Sequence, residues 1–504
     1  MTGTSNKGPT AQGARATAAG GWDFCSIGQL LDALQSRKIS ASELLEHTIA
    51  RIEALDQRIN AIVVRDFERA RAAAKLADAA LARGERRPLL GIPVTVKESF
   101  NVAGLPTTWG FPQFRDFVPA EDALAVSRLK QAGAVVIGKT NLPLGLREFQ
   151  SYNDIYGTTH NPWDLGCSPG GSSGGSAAAL AAGFGALSLG SDIGGSIRVP
   201  AHFCGIFGHK PTLGLAPPRG HSLPPAPALP GQGDLAVIGP MTRYAGDLAL
   251  ALDVIAGPDE ACEGIGYRLA LPAPRHADLR SFRILVVATH PLMPTGNAVR
   301  TAISGLAERL SKLGAKVAYD SPSLPSLADS GRLYMRLLNA ARSPRLSPDA
   351  FVEAQRLAAA LAPGDQGLQA ELSRGTVMSH RDWLVADAAR QRLQHQWRAL
   401  FREFDVVVYP SAPVPAFPQD HSEPIEARRL DIDGKAYPYL DACFIWADPA
   451  STCGLPATAV PIDRSTAGLP IGVQIIGPCL EDRTTIAFAE LLEREFGGFV
   501  PPAL

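Results

Sequence analysis

The sequence predicts an α/β fold: a single large domain with a central mixed, mostly parallel twisted β-sheet covered by helices on both faces. Short apolar runs with the length of buried strands alternate with helical segments, and this alternation is typical of such a sheet. Of the 504 residues, 46% are hydrophobic, which is enough for a large core. No Ser/Gly-rich or Pro-rich linker divides the chain, so we expect one domain over residues 21–504.

The N-terminal part is predicted to hold a tail and two helices. Residues 1–20 are small and polar without an apolar segment, which favours a disordered tail over a signal peptide or a membrane anchor. Ser40 and Glu43 have the spacing of a capping box and precede a helical stripe of apolar residues over 44–59. A second, Ala-rich helix is predicted over about 66–83.

The rest of the chain continues the alternation of strands and helices. The predicted strands are 92–96, 134–137, 187–189, 284–287, 406–409, 457–460 and 473–476. The predicted helices are 122–132, 297–313 and 380–404. Residues 272–380 carry no chemical motif, and we expect them to form a variable helical elaboration beside a substrate cleft.

Charge and cysteine content exclude several classes of protein. The 48 Lys and Arg residues nearly balance the 49 Asp and Glu residues, so no overall field attracts phosphate backbones or anionic lipid. Seven cysteines without a C-x-x-C pair do not resemble a disulfide framework and favour a reducing compartment. We therefore expect a soluble, cytoplasmic protein with no nucleic-acid or membrane partner.

A phosphate-loop pattern, G-x-x-x-x-G-K-[ST], occurs at residues 133–140. A phosphate loop needs its intermediate residues in a turn that follows a strand. Here those residues are Ala-Val-Val-Ile, which themselves have the character of a buried strand. The pattern is therefore interpreted as a strand and not as a nucleotide site.

Residues 166–170 and 171–175 both match G-x-S-x-G, the nucleophile elbow of α/β-hydrolases. In the first match, Pro169 removes an N–H group that an oxyanion hole would need. An elbow enzyme also needs a downstream histidine in a strand-end loop, whereas His380 and His395 fall in a helical pattern. A Ser-His-Asp triad is therefore disfavoured.

Two glycine-rich blocks, GGSSGGSAAALAAG at 170–183 and GSDIGGSIRVPA at 190–201, are the most informative part of the chain. Further blocks are GIPVTVK at 91–97, GKTN at 138–141, GIFGHKPTLG at 205–214, GLPAT at 454–458 and GLPIGVQIIG at 468–477. With these blocks the sequence closely resembles the amidase signature family of Ser-Ser-Lys hydrolases, and it is similar to bacterial aryl acylamidases and urethanases. The resemblance extends from about residue 24 to the C-terminus and implies the amidase signature fold.

The resemblance also implies a catalytic triad. By the family pattern, Ser196 is the nucleophile, Ser172 the bridging serine and Lys97 the terminal base, and the peptide bond between Gly171 and Ser172 is cis. No histidine lies beside either serine in these motifs, so another base is needed. Lys97 ends an apolar strand, where burial would lower its pKa and leave it neutral.

The loop around Ser196 is expected to form an oxyanion hole. Gly194 and Gly195 let a substrate carbonyl approach the backbone, so that consecutive N–H groups converge on one point. The expected donors are the N–H groups of Ile193, Gly194, Gly195 and Ser196. The residues expected to support the site are Ser173, Asp192, Arg198 and Gly171.

The implied activity is cleavage of amide C–N bonds through an acyl-enzyme. The motif-poor regions offer apolar residues and no obvious cluster of charges, which favours hydrophobic or aryl amides. Ester and carbamate (urethane) hydrolysis stay open, and the alternative is a glutamine-dependent amidotransferase component that works on charged tRNA. We expect a small-molecule amide, ester or carbamate substrate and neither a cofactor nor a metal. A homodimer is left open as the oligomeric state.

Three details bear on specificity. Glu98 follows Lys97 where many family members have Asp. Arg219 and His221, in a Pro-rich loop, are expected at the surface. Phe444 and Trp446 are candidates for lining either a pocket or the core.

Overall fold

An eleven-stranded sheet forms the centre of the domain in the computed structural model, which describes residues 21–504. The tail predicted at 1–20 lies outside the described residues. The strands are β1 (Ile62–Arg65), β2 (Pro93–Lys97), β3 (Val135–Thr140), β4 (Tyr152–Asn153), β5 (Gly157–Thr158), β6 (Leu187–Asp192), β7 (Phe207–Lys210), β8 (Val237–Thr242), β9 (Arg283–Val286), β10 (Lys316–Ala318), β11 (Val406–Pro410), β12 (Arg429–Ile432), β13 (Lys435–Pro438), β14 (Ala457–Arg464) and β15 (Pro470–Ile476).

Helices cover the sheet. They are α1 (Ile27–Gln35), α2 (Ala41–Ile59), α3 (Phe67–Ala82), α4 (Leu124–Gln131), α5 (Gly174–Ala181), α6 (Arg198–Cys204), α7 (Ala245–Ile255), α8 (Asn297–Leu313), α9 (Leu327–Arg342), α10 (Pro348–Ala359), α11 (Leu368–Thr376), α12 (His380–Glu403), α13 (Tyr439–Phe444) and α14 (Asp482–Phe496). The capping box of α2 is present, because Ser40 and Glu43 each accept a hydrogen bond from the other's backbone N–H.

The sheet has the strand order β1-β3-β2-β6-β8-β7-β14-β15-β11-β9-β10, and its mixed character is confirmed. The expected parallel majority is wrong, since within residues 21–504 six of the ten pairings are antiparallel and four are parallel. The central strands β7, β8, β14 and β15 cause the difference. Their connections β7–β8 and β14–β15 contain no helix, so the chain returns in the opposite direction.

Each predicted strand and helix is confirmed to within a few residues. The phosphate-loop pattern is β3, buried along its whole length, as interpreted from the sequence. Residues 272–380 contain α8 to α11 together with β9 and β10, which belong to the central sheet. This segment therefore contributes two strands to the central sheet in addition to the helices that the sequence predicts.

The strand order brings the polar ends of two strands to one edge of the sheet. β2 and β6 are adjacent and parallel, with Val96 opposite Leu189. β2 ends at Lys97 and β6 ends at Asp192, so both carboxyl ends meet at the same edge. Polar groups at such an edge lie where ligands bind in open α/β sheets.

Candidate active site

Lys97 lies at this edge, at the end of β2, and is fully buried. Its Nζ atom lies 2.5 Å from Ser172 Oγ and 3.0 Å from Ser191 Oγ. Burial lowers the pKa of Lys97 well below its ordinary value; the Asp192 carboxylate opposes this shift, and the Arg345 charge reinforces it. The lysine is therefore held in surroundings that favour its neutral form.

Ser172 belongs to the loop that precedes α5, and the peptide bond between Gly171 and Ser172 is cis. Gly171 packs against the backbone of Glu148 and Phe149, and a Cβ atom there would collide with Glu148 O. Only glycine fits at this position. The tight packing sets the direction in which the Ser172 side chain leaves the loop toward Lys97.

Ser196 follows β6 in a short loop and is 5% exposed. Its carbonyl accepts a hydrogen bond of 3.2 Å from the Ser173 N–H, which ties the two loops together. The hydrogen bonds of residues 21–504 include none between the hydroxyls of Ser172 and Ser196. The structure thus joins Lys97 to Ser172 directly, and Ser196 lies in the adjoining loop.

Three backbone N–H groups of this loop have no acceptor. Among the hydrogen bonds of the described residues, none uses the N–H of Ile193, Gly194 or Ser196. The N–H of Gly195, the fourth expected donor, donates to Asp192 Oδ1 at 2.8 Å. Buried backbone donors are nearly always paired, so the free N–H groups of the buried residues Gly194 and Ser196, next to that of the partly buried Ile193, indicate a site for an external acceptor.

Asp192 and Arg198 form the frame of the loop. The Asp192 carboxylate accepts hydrogen bonds from the N–H groups of Gly195 and Ile197 and lies 2.8 Å from an Arg198 guanidinium nitrogen. Burial raises the pKa of Asp192, but Arg198 and the backbone donors outweigh it and hold the pKa at about 2. The Arg198 guanidinium also donates to the side chains of Gln474 and Ser451 and to Ala447 O.

Ser173 precedes α5, and its hydroxyl contacts the backbone of Ser191. The distances are 3.3 Å to the Ser191 carbonyl and 3.4 Å from the Ser191 N–H. Ser173 therefore links the two loops, and its hydroxyl is directed to Ser191 and not to Lys97. The sequence predicts a supporting role for Ser173, and this position is consistent with one.

Several residues of the site were not identified from the sequence. Ser191 is the second contact of Lys97, and its position as a polar residue at the end of a buried strand is the signal that could have identified it. The Tyr334 hydroxyl, from α9, donates to Ile193 O at 3.2 Å. Tyr334 lies in a segment without motifs, so no local pattern connects it with the loop.

Aromatic rings lie beside Gly194. A Cβ atom at Gly194 would approach Phe444 Cδ1 to 2.8 Å, and the rings of Phe444 and Phe149 have centroids 5.0 Å apart. Phe444 thus lies at the loop, whereas Trp446 is fully buried against Tyr409 and belongs to the core.

The expectation that His221 and Arg219 lie at the surface is wrong for His221, while Arg219 is partly exposed. His221 packs on the rings of Phe100 and Trp109, and its Nε2 atom lies 2.9 Å from Ser99 Oγ. Burial, reinforced by the nearby Arg345 charge, lowers the pKa of His221 well below its ordinary value. Arg219 is partly buried in an ion pair with Asp259.

Glu98, the departure from the common family pattern, is fully buried. Its carboxylate accepts hydrogen bonds from the N–H groups of Thr108 at 2.5 Å and Trp109 at 3.0 Å. Glu98 thereby positions the segment that carries Trp109, beside the strand that ends in Lys97.

Comparison with known proteins agrees with the motifs. The family model described as Amidase matches residues 43–486. The chain belongs to the amidase signature family. This confirms the resemblance derived from the glycine-rich blocks.

Relatives of this chain have names that refer to different activities. It is 35% identical, over 95% of this chain and 98% of the relative, to a subunit of the glutamyl-tRNA(Gln) amidotransferase from Anaeromyxobacter sp. (strain K). It is 32% identical, over 94% of this chain and 89% of the relative, to fatty-acid amide hydrolase 2-A from Danio rerio. The crystal structure of a bacterial aryl acylamidase matches with a TM-score of 0.76 and 24% identity, covering 94% and 96% of the two chains, which confirms the fold.

Neither a membrane-spanning helix nor a metal-binding cluster is found in residues 21–504. Of the helices between residues 21 and 504, none has the length and apolar character needed to cross a membrane. The same residues contain no cluster of three or more His, Cys, Asp or Glu side chains arranged to hold a metal ion.

Proposed function

We propose that this protein hydrolyses amide C–N bonds through an acyl-enzyme on Ser196, with Ser172 and Lys97 carrying protons. The contact of 2.5 Å between Lys97 Nζ and Ser172 Oγ, in a buried site, is the observation that carries the proposal. A serine hydroxyl is a weak nucleophile at neutral pH and needs a base. A lysine whose pKa is lowered by burial is neutral and can accept the proton.

The reaction begins when neutral Lys97 takes the proton of Ser172 while Ser172 takes that of Ser196. The second transfer requires the Ser196 hydroxyl to come within hydrogen-bonding distance of Ser172. The Ser196 oxygen then bonds to the carbonyl carbon, and the carbonyl electron pair moves onto oxygen. The carbonyl then re-forms as the C–N bond breaks, and Ser172 gives its proton to the departing nitrogen while it takes back the proton held by Lys97. Water releases the acid from Ser196 by the same relay.

The free N–H groups of Ile193, Gly194 and Ser196 support an oxyanion hole. A tetrahedral intermediate places a negative oxygen beside the nucleophile, and fixed donors stabilise it without reorganisation. Loss of one such donor typically costs about 3 kcal/mol of transition-state stabilisation.

The rings of Phe149 and Phe444 support hydrophobic or aryl groups in the substrate. They pack against the loop that carries Gly194, so apolar side chains lie next to the proposed oxyanion hole. The 32% identity to a fatty-acid amide hydrolase is consistent with apolar amides. Esters and carbamates present the same carbonyl to Ser196, so hydrolysis of both is part of the proposal.

The second candidate function is that of an amidotransferase component that uses glutamine. The 35% identity to the glutamyl-tRNA(Gln) amidotransferase protein over nearly the whole chain favours it. The two candidates share the chemistry at Ser196 and differ in substrate. Turnover of glutamine without turnover of anilides would favour the second candidate.

The experiment is labelling by a fluorophosphonate followed by peptide mass spectrometry, together with a panel of anilides, aliphatic amides, aryl esters, carbamates and glutamine. We expect the label on Ser196 and no turnover by Ser196→Ala, while Ser465→Ala, in the turn between β14 and β15, retains full turnover. A label on another residue, or undiminished turnover by Ser196→Ala, would refute the mechanism.

A further inference from the structure

Two arginines near the proposed catalytic residues have no anionic partner in the part of the chain that the structure describes. Arg342 ends α9, and Arg345 lies in the turn that follows. Within the described part of the chain, no carboxylate lies at ion-pair distance from either guanidinium. Arg342 donates a long hydrogen bond of 3.5 Å to Arg147 O, and Arg345 donates one of 3.2 Å to Gly145 O.

Both guanidinium groups cover aromatic rings of the site. The Arg342 guanidinium carbon lies 5.4 Å from the centre of the Phe444 ring, which itself packs against Gly194. The Arg345 guanidinium carbon lies 5.1 Å from the centre of the Trp109 ring. The Arg345 charge also contributes to the lowered pKa of Lys97, so it acts on the proposed base.

The fully buried arginines with which they can be compared are better compensated. Arg198 pairs with Asp192 and Arg428 pairs with Glu148, each at 2.8 Å. Arg243 has no ion pair within residues 21–504, but it donates to three backbone carbonyls. Among the described residues, Arg342 and Arg345 each have a single backbone acceptor.

A guanidinium that lies against protein without an anionic partner is unfavourable. Removal from water lowers the pKa of Arg342 to about 10 and also lowers that of Arg345. The nearby Arg147 adds positive charge, although its own guanidinium pairs with Glu423 at 2.8 Å. Because Arg342 is half-buried and Arg345 is exposed, a ligand can reach both.

We propose that Arg342 and Arg345 bind a carboxylate of the substrate, so that the amides cleaved at Ser196 carry an anionic group. The proposal rests on the proposed function, since it describes the same site. Guanidinium forks match the two oxygens of a carboxylate and form charge-assisted hydrogen bonds with them. The apolar part of the substrate lies against Phe444, and its carboxylate extends to the arginines.

The test uses matched amides with and without a carboxylate. Succinanilic acid is compared with butyranilide, which places the charge on the acyl side. The pair 4-acetamidobenzoate and 4-acetamidotoluene places it on the leaving group. We expect a preference in kcat/KM for the charged member of at least one pair, and Arg342→Met and Arg345→Met to reduce that preference by about 10- to 100-fold each.

The control variant is Arg356→Gln, which removes a charge paired with Glu353 on the exposed helix α10 and should leave the preference unchanged. Arg342→Lys keeps the charge but not the fork, so an intermediate preference is expected. If Arg342→Met does not fold, Arg342→Lys decides between the outcomes.

A second readout separates this inference from the proposed function. Succinate should slow fluorophosphonate labelling of Ser196 in the wild type and have less effect in Arg342→Met. Normal labelling with no protection by succinate and no preference in either pair would overturn the carboxylate site and leave the mechanism standing. Absence of labelling at Ser196 would instead refute the mechanism. Succinate binding would then be measured by calorimetry. Loss of binding in Arg342→Met would support the carboxylate site, and no binding to the wild type would overturn it.

Discussion

The Nζ atom of Lys97 lies 2.5 Å from the hydroxyl oxygen of Ser172, at the bottom of a site that excludes water from the lysine. A charged ammonium in this position would only donate hydrogen bonds, whereas a neutral amine can also accept the serine proton. Burial favours the neutral form, so the same packing that makes the lysine costly for stability makes it suitable as a base.

Lys97→Met should abolish turnover and increase stability. The pKa of Lys97 is lower in the folded protein than in the unfolded chain. Below about pH 10, the lysine of the unfolded chain therefore carries a proton that it must lose when the protein folds. The lysine therefore destabilises the folded state at neutral pH, and we expect methionine to raise the free energy of unfolding by on the order of 1–3 kcal/mol.

Thermal or denaturant unfolding of the inactive variant between pH 6 and pH 10 measures this effect. The gain should be larger at the lower pH, because protonation of the unfolded chain grows as pH falls. Ser172→Ala, which keeps the lysine, is the matched inactive control and should show no such gain. A methionine variant less stable than the wild type at pH 7 would contradict a neutral Lys97.

Arg345→Met should move the acidic limb of the pH profile to higher pH. The positive charge of Arg345 lowers the pKa of Lys97, so its removal raises that pKa and requires a higher pH for the neutral base. On the limb, kcat/KM for a neutral anilide should therefore fall at constant pH. The measurement is kcat/KM between pH 5 and pH 10 with butyranilide, and Arg356→Gln, whose charge is on exposed α10, should show no shift. An unshifted limb in Arg345→Met would exclude this electrostatic effect.

Ser191→Ala should reduce turnover without abolishing it. The Ser191 hydroxyl accepts a hydrogen bond of 3.0 Å from Lys97 Nζ and holds the amine in line with Ser172. Loss of this contact leaves Lys97 free to turn, and we expect kcat to fall about 10-fold with little change in KM. Ser191→Thr keeps the hydroxyl and should restore most of the activity. Equal losses in both variants would indicate a packing effect instead.

The sequence was sufficient for the elements and the principal site motifs because these are local. The strand at Val135–Thr140 and the cluster of glycines around Ser172 are each readable from a few neighbouring residues. Whether the central strands pair parallel or antiparallel could not be predicted from neighbouring residues, because it depends on which connections lack a helix. Tyr334, Arg342 and Arg345 were missed because α9 and the turn after it reach the site only through tertiary packing, more than 130 residues after Ser196.

Tyr334→Phe should impair the loop that carries the free N–H groups. The Tyr334 hydroxyl donates to Ile193 O at 3.2 Å, and this bond orients the peptide group that also carries the Gly194 N–H. Phenylalanine fills the same space and removes only the hydroxyl, so we expect kcat to fall about 10-fold while KM and the melting temperature change little. Tyr437→Phe, on the small hairpin β12–β13, is the control. A change confined to KM would indicate substrate contact in place of loop orientation.

Arg198→Met should be the most destabilising of these substitutions. It leaves the Asp192 carboxylate buried without its guanidinium partner and also removes the donors to Gln474 and Ser451. Removal of one partner from a buried ion pair typically costs about 3–5 kcal/mol. Arg198→Lys keeps one charge and should lose less. The loss is measured from denaturant unfolding at pH 7, and a loss below about 1 kcal/mol would contradict the role of this pair as the frame of the loop.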